Sequence, residues 1–539
     1  MSDSNPLQLK PLGHLFLHPE AGLTKVRGLG RLAALPDDLL LSQIFSNLDA
    51  ETLIRCSRVS KAFFAWSRIE GVWKNLYISA TNGRLLHWHG SWRASYVATF
   101  LRPKNTPLDE ALPSDGITAP SMTSDVLFQP CLCASFDANT LFGKYFVPTI
   151  AKRSGVGLTP ADLPSEPVIL TGLMDRWPAM QPGHRRWTLH HLQSRFPDTL
   201  LRAEATLATL PDYSGYHDQC GQDESPLYLF ESDFVNKTES QGEAGLGDDF
   251  VVPECFRQDL FEVMGNMRPN YRWLIAGPER SGSTWHQDPN GTSAWNAVTV
   301  GRKAWVMFPN DVLPPGVRVS DDMAHVEAPL SLAEWFQSYY KQAKLKYGAK
   351  AKDPATRGKM REGICEQGEI MFVPSGWWHG EHANDHFNGH NVLTGIFFSV
   401  VVNLEPAIAV TQNFVSSREL PDVLKFMKYR PEQVSGFKIP SAAPVEEGGL
   451  DEADEALPGV FELFVEALRA QRPLVAQDAL DRLQQHDIAE QRKGEPYLAT
   501  VVKDRGLWAK VKQEKENAVS EGFSFGFDLA GQSEDEAET

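Results

Sequence analysis

The chain has 539 residues, 42% of them hydrophobic, which is enough for several domains with sizeable cores. A net charge of −17 argues against direct nucleic-acid binding, although it suits a basic peptide as a partner. Six cysteines in so long a chain indicate no disulfide scaffold and favour a reducing compartment. The sequence shows neither a signal peptide nor a membrane-spanning stretch. We therefore expect a nuclear or cytoplasmic protein, with the nucleus favoured, that is neither secreted nor membrane-bound.

Changes in composition and turn signals divide the chain. The predicted regions are a flexible N-terminus (1–29), a small helical unit (30–78), a connector (79–135), a compact domain (136–420) with its core at about 270–415, a helical region (421–520) with an acidic linker (441–457), and a disordered acidic tail (521–539). The predicted fold class is α+β and multidomain.

The small helical unit begins at Leu35-Pro36, where proline suits the first turn of a helix. Leu40, Ile44 and Leu48 then recur at helical spacing, and two more short helices fit residues 51–59 and 61–69. The stretch resembles an F-box. The resemblance implies that the side chains of Leu35, Pro36, Ile44 and Leu48 dock on the Skp adaptor of a cullin-type ubiquitin ligase. The alternative is a helical subdomain packed on the rest of the chain.

Four short apolar runs punctuated by glycine and proline lie between Tyr271 and Met307. Evenly spaced short strands of this kind are typical of a double-sheet jelly roll, a class that includes the cupins. We therefore predict an all-helical unit, then a double-stranded β-helix core with flanking helices, then a helical C-terminal region.

The most informative short motif is His286-Gln-Asp288. Side chains two residues apart on an extended segment point to the same side, so this pair supplies two ligands of a 2-His-1-carboxylate site for Fe(II). His379 is the candidate for the third ligand, which makes His286, Asp288 and His379 the predicted catalytic metal site. The bare His-x-Asp/Glu pattern is weak evidence, because it occurs four times in the chain.

The surroundings of this motif are more specific. The segment from Gly277 to Lys303 resembles a JmjC-type 2-oxoglutarate oxygenase, and so do Ser225–Phe230, Phe372–His379 and Asn403–Phe414. The branch it is most similar to is the arginine demethylase and lysyl hydroxylase branch, also known as phosphatidylserine receptor-like.

The resemblance implies Fe(II), 2-oxoglutarate as cosubstrate, and O2. It implies that Lys303 pairs with the distal carboxylate of 2-oxoglutarate and that Ser283, Asn296 and Thr411 hydrogen-bond the cosubstrate. The implied activity is hydroxylation or demethylation of lysine or arginine side chains in proteins, with histones and splicing factors among the candidate substrates.

Several alternatives stay open at this stage. The chain could be an F-box substrate-recognition subunit of a ubiquitin ligase whose cupin is not catalytic. Lys303 could be a solvated lysine at a strand end, and Ser283 and Thr411 ordinary strand residues. Three tryptophans of this region are expected in the core rather than in a substrate cage: Trp285, Trp295 and Trp305.

One stretch departs from the family pattern. Residues 380–399 separate His379 from Val400-Val-Val-Asn403, which would otherwise read through without a break. We interpret these residues as the product of a retained intron in the gene model. The alternative is that they belong to the mature protein, where they would displace His379 or place a loop around the site. The histidines within the stretch, His382, His386 and His390, are predicted not to be ligands, because glycine and asparagine among them favour a loop.

Overall fold

The computed structural model describes residues 5–13, 21–102, 116–239, 244–320, 326–327, 329, 331–378, 400–439 and 459–493. The chain forms two units, Met1–Pro473 and Leu474–Thr539. The described residues of the second unit form one helix, which begins at Pro473, the last residue of the first unit, and ends at Lys493.

The strands of the first unit are β1 (Ala151–Ser154), β2 (Val168–Thr171), β3 (Leu200–Ala203), β4 (Thr206–Thr209), β5 (Leu229–Glu231), β6 (Arg272–Gly277), β7 (Gly282–Thr284), β8 (Ser293–Val300), β9 (Arg302–Met307), β10 (Arg318–Val319), β11 (Val326–Glu327), β12 (Arg361–Glu366), β13 (Ile370–Val373), β14 (Val400–Asn403) and β15 (Ala407–Phe414).

Two sheets form the core of this unit. The larger sheet has the strand order β1-β2-β13-β8-β15-β6-β5-β3-β4, and the smaller has the order β12-β9-β14-β7. One apolar cluster takes Val298 and Met371 from the larger sheet and Trp305, Met307 and Val401 from the smaller. The two sheets therefore pack face to face, which confirms the predicted jelly-roll core.

The helices are α1 (Ala21–Leu29), α2 (Asp37–Leu39), α3 (Ala50–Cys56), α4 (Lys61–Trp66), α5 (Glu70–Ala80), α6 (Trp92–Tyr96), α7 (Asp125–Ala134), α8 (Ala138–Tyr145), α9 (Leu189–Arg195), α10 (Leu210–His217), α11 (Phe234–Glu239), α12 (Leu332–Ser338), α13 (Tyr340–Tyr347), α14 (Leu420–Tyr429), α15 (Val460–Gln471) and α16 (Pro473–Lys493). None of the helices in the described part of the chain is long and apolar enough to cross a lipid bilayer.

The N-terminal helices contain the predicted three-helix unit. Asp49 and Ser60 cap α3 and α4 by accepting hydrogen bonds from backbone N–H groups, which explains where both helices begin. The first predicted helix continues from α2 through a π turn and a 3-10 turn to Asn47. Phe45 from this segment stacks on Trp66, and both are buried. Leu53 of the second predicted helix is buried in the same cluster, so the core of the unit contains residues of all three predicted helices.

No helices were predicted in the segments on either side of this unit, residues 1–29 and 79–135, but the structure contains helices in both. Within residues 1–29, α1 lies against α4, where Ser60 Oγ donates to the carbonyl of Gly28 at 2.7 Å. The predicted connector contains α6 and α7. These helices are short, so tertiary packing rather than helix propensity decides that they form. Residues 494–520 of the predicted C-terminal helical region lie outside the described residues.

The helical unit is joined to the larger sheet by hydrogen bonds as well as by the chain. After α5, the N–H of Leu85 donates to the carbonyl of Leu207 at 2.8 Å, and the N–H of Leu207 donates to that of Gly83 at 2.7 Å. Leu207 belongs to the edge strand β4, so this segment extends the sheet. Trp88 packs its ring on Tyr216 of α10, with centroids 4.8 Å apart.

Candidate active site

His286 and Asp288 follow β7, at one end of the smaller sheet. Strand β7 runs so close to β14 that a Cβ at Gly282 would lie 1.8 Å from the carbonyl oxygen of Val401, so glycine is required there. The chain then passes His286, which is half-buried, and Asp288, which is buried. Pro289 starts a 3-10 turn directly after Asp288 and ends the extended segment. The two predicted ligands therefore lie side by side at the transition from strand to turn.

Asn413 holds the Asp288 carboxylate in place. Its Nδ2 donates to Asp288 Oδ1 at 3.0 Å and to Thr292 Oγ1 at 3.1 Å, and Asn413 itself is on β15 of the larger sheet. A bond from a fixed amide orients a carboxylate for a metal. The sequence analysis missed Asn413, although it lies two residues after Thr411 and hence on the same face of the strand.

Lys303 lies inside the barrel, fully buried on β9. Gly301 makes the tight turn before it with φ of +79°, and a Cβ there would lie 2.2 Å from the carbonyl oxygen of Pro406. The Lys303 ammonium donates to Tyr228 Oη at 2.8 Å and to Asn296 Oδ1 at 3.5 Å. This burial excludes the alternative of a solvated lysine at a strand end.

Tyr228 is a further residue of this site that the sequence analysis did not single out. It lies directly before β5 and is buried, with Phe230, Trp273 and Ile275 as apolar neighbours. Tyr228 falls within the family-like stretch Ser225–Phe230, so the signal was present in the sequence. Its link to a lysine 75 positions away could be seen only in the fold.

Of the other predicted cosubstrate residues, two are on neighbouring strands of the larger sheet and one is on the smaller sheet. Asn296 on β8 lies opposite Thr411 on β15, and both are buried. Thr411 Oγ1 donates to the carbonyl of Trp295 at 3.0 Å, which leaves its lone pairs available as acceptors. Ser283 Oγ on β7 is buried and has no hydrogen-bond partner among the described residues. A buried hydroxyl of this kind is suited to a ligand that completes the site.

The third predicted ligand, His379, lies outside the described residues, as do His382, His386 and His390. The described residues accordingly contain no group of three His, Cys, Asp or Glu side chains that could hold a metal ion. They provide His286 and Asp288. The three tryptophans expected in the core, Trp285, Trp295 and Trp305, are buried.

The residues predicted to bind an adaptor lie on the N-terminal helical unit. Pro36 is exposed, and Leu35, Ile44 and Leu48 are partly buried against the core of that unit. Leu39, one helical turn before Gln43, is 44% exposed and extends the apolar area. The surface is therefore partly accessible and partly used for internal packing.

Comparisons with known proteins agree with this architecture. Residues 32–79 match the F-box-like family, and residues 162–403 match the family described as Cupin-like domain. The chain is 37% identical over 424 residues to the arginine-specific demethylase JMJ22 of Arabidopsis thaliana, an alignment covering 78% of this chain and 75% of that protein.

Two more distant relatives align with a smaller share of the chain. The bifunctional arginine demethylase and lysyl-hydroxylase psr-1 of Caenorhabditis elegans is 34% identical over 282 residues, covering 50% of this chain and 60% of psr-1. The 2-oxoglutarate and iron-dependent oxygenase JMJD4 of Homo sapiens is 25% identical over 183 residues, covering 34% of this chain and 36% of JMJD4.

The evidence for one family is the jelly-roll core with its buried Lys303, the His286–Asp288 pair after strand β7, and the extent of the alignment with JMJ22. The chain belongs to the JmjC-type 2-oxoglutarate oxygenases and carries an F-box-like region before its cupin-like domain.

Proposed function

We propose that this protein hydroxylates or demethylates arginine or lysine side chains of proteins, with Fe(II), 2-oxoglutarate and O2. Arginine demethylation is favoured, because JMJ22 and psr-1 are both named as arginine demethylases. The observation that carries the proposal is the buried Lys303 ammonium inside the same barrel whose end presents His286 and Asp288.

The donor set suits the metal. Two imidazoles and one carboxylate are the ligands that non-haem Fe(II) prefers, and they leave coordination positions open. We assign His286, Asp288 and His379 to this role. Asn413 would keep one carboxylate oxygen of Asp288 fixed by its hydrogen bond, so that metal binding does not have to order that side chain.

The barrel interior suits a dicarboxylate. Lys303 would bind the distal carboxylate, and the hydroxyls of Ser283 and Thr411 and the amide of Asn296 would donate to or accept from the cosubstrate. Cys365 lies opposite Lys303 in the sheet, and burial raises the pKa of its thiol, so it stays neutral and does not compete for the ammonium.

Bound Fe(II) and 2-oxoglutarate would let O2 place one oxygen atom in a substrate C–H bond and the other in succinate, with release of CO2. Hydroxylation of an N-methyl group would lead to loss of formaldehyde. The protein would orient the bound groups and exclude water from the site. Trp305 is buried between the two sheets, and its ring centroid lies 5.7 Å from Lys303 Nζ, which gives the polar residues an apolar neighbour inside the barrel.

The register of the smaller sheet supports the assignment of His379 and the interpretation of residues 380–399. Val401 lies opposite Trp305 and Asn403 opposite Lys303, while Trp378 lies opposite Phe308. Phe308 is the third residue after Trp305. If the strand were uninterrupted and antiparallel, the residue opposite Phe308 would therefore be the third residue before Val401.

Removal of residues 380–399 would make Trp378 that residue, with no change of register. His379 would then be expected opposite Met307, whose side chain packs inside the barrel with Trp305. We therefore propose that the active form of the protein lacks residues 380–399.

Adaptor binding is a second candidate function, favoured by the F-box-like match and by the exposure of Pro36 and Leu39. We propose that Leu35, Pro36, Ile44 and Leu48 contact a Skp-type adaptor, which would make the chain both an oxygenase and a subunit of a cullin-type ubiquitin ligase. Capture of purified Skp adaptor by the protein, and its loss in Pro36→Asp, would test this function independently of catalysis.

The oxygenase function is tested by succinate production and by mass spectrometry of histone and splicing-factor peptides. Purified protein, with and without residues 380–399, would be incubated with Fe(II), 2-oxoglutarate and methylated or unmethylated peptides. We expect the mass change of one added oxygen atom or one lost methylene unit, and its absence in Asp288→Ala. Peptides left unmodified, together with no succinate from either form, would refute the proposal.

A further inference from the structure

The F-box-like helices are attached to the segment that carries Tyr228. Lys74 on α5 forms an ion pair with Glu204, with Nζ and Oε2 3.3 Å apart. The other oxygen of that carboxylate, Oε1, accepts a hydrogen bond from the backbone N–H of Tyr228 at 3.3 Å. One carboxylate thus connects a helix of the N-terminal unit with the backbone of Tyr228.

The backbone of Glu204 is unusual. It lies in the two-residue turn between β3 and β4 with φ of +51°, a left-handed conformation that glycine, asparagine or aspartate would adopt more readily. A glutamate held in this conformation indicates that its side chain is needed for contacts outside the turn. The contacts found are those with Lys74 and Tyr228.

A second set of bonds reaches the residue before Tyr228. Trp92 Nε1 of α6 donates to Asp223 Oδ2 at 3.1 Å, and Tyr216 Oη donates to the same oxygen at 2.9 Å. Tyr216 Oη also accepts from the backbone N–H of Leu227 at 2.8 Å. The N-terminal helices therefore anchor the chain at two consecutive residues, Leu227 and Tyr228.

The charge of Lys74 is maintained at this position. Burial lowers its pKa, but the carboxylates of Glu204, Asp223 and Glu224 outweigh that effect and raise the pKa above its ordinary value. Lys74 is a cation at neutral pH, and its side chain is 23% exposed. A partly desolvated ion pair is stronger than a surface pair and can fix the position of its carboxylate.

The opposite end of Tyr228 reaches the candidate cosubstrate site, because its hydroxyl accepts a hydrogen bond from Lys303 at 2.8 Å. The contacts Lys74–Glu204, Glu204–Tyr228 and Tyr228–Lys303 form a continuous path from the F-box-like region into the barrel. Each step is a hydrogen bond or ion pair between groups that are at least partly buried.

We propose that Lys74 and Glu204 are positioning residues for 2-oxoglutarate, and that the F-box-like region is thereby a structural part of the oxygenase site. This inference rests on the proposed function, in which Lys303 binds the cosubstrate. Lys74 fixes Glu204, Glu204 fixes the backbone of Tyr228, and Tyr228 fixes the Lys303 ammonium.

The test uses the full chain, and in parallel the form without residues 380–399, with two variants of the path. Glu204→Gly removes the carboxylate and suits the left-handed backbone, so relief of backbone strain should offset part of the stability lost with the ion pair. Lys74→Met removes the charge and keeps the aliphatic stem. Both should raise the KM for 2-oxoglutarate about three- to tenfold and leave kcat within about twofold, and Lys74→Arg should restore much of the loss.

Arg55→Met is the matched control, because it removes an exposed ion pair of α3, Arg55–Glu51, within the same N-terminal unit. It should leave KM unchanged. Tyr228→Phe should raise KM by itself, and Lys74→Met added to it should have less effect than in the parent, since both act through one residue.

The outcomes separate this proposal from the proposed function. An unchanged KM in Glu204→Gly and Lys74→Met, with KM raised in Tyr228→Phe, would overturn the path while the oxygenase assignment stands. A fall in kcat or melting temperature without a change in KM would assign the two residues a merely structural role and equally overturn it. If the parent protein neither turns over nor binds 2-oxoglutarate in a direct titration, both proposals fail together.

Discussion

The two ends of the candidate active site are built differently. At the cosubstrate end, Lys303, Asn296 and Thr411 lie within continuous strands, and sheet register brings them together. At the metal end, His286 and Asp288 follow the three-residue strand β7, and residues 380–399 interrupt the chain after His379. The cosubstrate end is therefore fixed by backbone hydrogen bonds, whereas the metal end depends on side-chain bonds and on one uninterrupted strand.

The largest effect is expected from deleting residues 380–399. If the strand then continues in register from Trp378 to Val400, the metal site gains its third ligand, and we expect affinity for Fe(II) or Mn(II) to rise on the order of 100-fold. Anaerobic metal titration measures this. Deletion of residues 441–457, another stretch outside the described residues, serves as a control that should leave the affinity unchanged. Equal affinity of the two deletion proteins would contradict the register argument.

The next effect concerns the cosubstrate end. Lys303→Met removes a buried charge-assisted contact, so binding of 2-oxoglutarate should weaken by about 1.5–3 kcal/mol, on the order of 10- to 100-fold in Kd. Metal affinity in the absence of 2-oxoglutarate should stay the same. Titration calorimetry with each ligand separates the two ends. Loss of metal affinity in Lys303→Met would show that the ends are not independent.

A smaller effect should follow from removing the amide that orients Asp288. We expect Asn413→Ala to lower metal affinity about tenfold, because its bond to Asp288 Oδ1 is lost. Gln412→Ala is the matched control, since the neighbouring side chain contacts Arg272 instead. If both variants bind the metal equally well, Asn413 does not orient the ligand.

The smallest effect concerns the ionisation of the Glu224 carboxyl group. Burial, with a further contribution from the nearby Asp223, raises the pKa of Glu224 from 4.5 to about 7. Between these values the folded protein holds a proton that the unfolded chain has released, so the free energy of unfolding falls as pH rises from 4.5 towards 7 and stays low above it.

Glu224→Gln removes the free-energy cost of ionising this carboxyl group in the folded protein. Because the carboxyl is partly exposed, we expect only about 1 kcal/mol of stabilisation at pH 8. At pH 4.5 the difference between variant and parent should nearly vanish. Denaturant unfolding at both pH values measures it. A stabilisation that is equal at the two pH values would rule out titration of Glu224 as its cause.

Much of the architecture was predictable because its signals are local. The helical spacing of Leu40, Ile44 and Leu48 and the short strands around His286 depend on residues close in sequence, and both predictions agree with the structure. The helices α1 and α6 were not predicted. They are too short for propensity to indicate them, and their stability comes from packing on α4 and on Tyr216.

Some features of the candidate site were local and others were not. Motif residues such as Asp288 and Lys303 could be chosen from the sequence, but the contacts of Asn413, Tyr228 and Glu204 could not, since each joins a partner far away in the chain.

The sequence by itself determined the jelly-roll class and the F-box-like unit, and it supplied the candidate residues for metal and cosubstrate, because periodicity and short motifs record local backbone geometry and local chemistry. Only the tertiary structure decided that Lys303 is buried and that Trp378 and Val401 keep the register of a single strand. It also decided that the N-terminal helices support Tyr228. These properties depend on which distant segments become neighbours, and that is settled by the packing of two sheets and several short helices into one core.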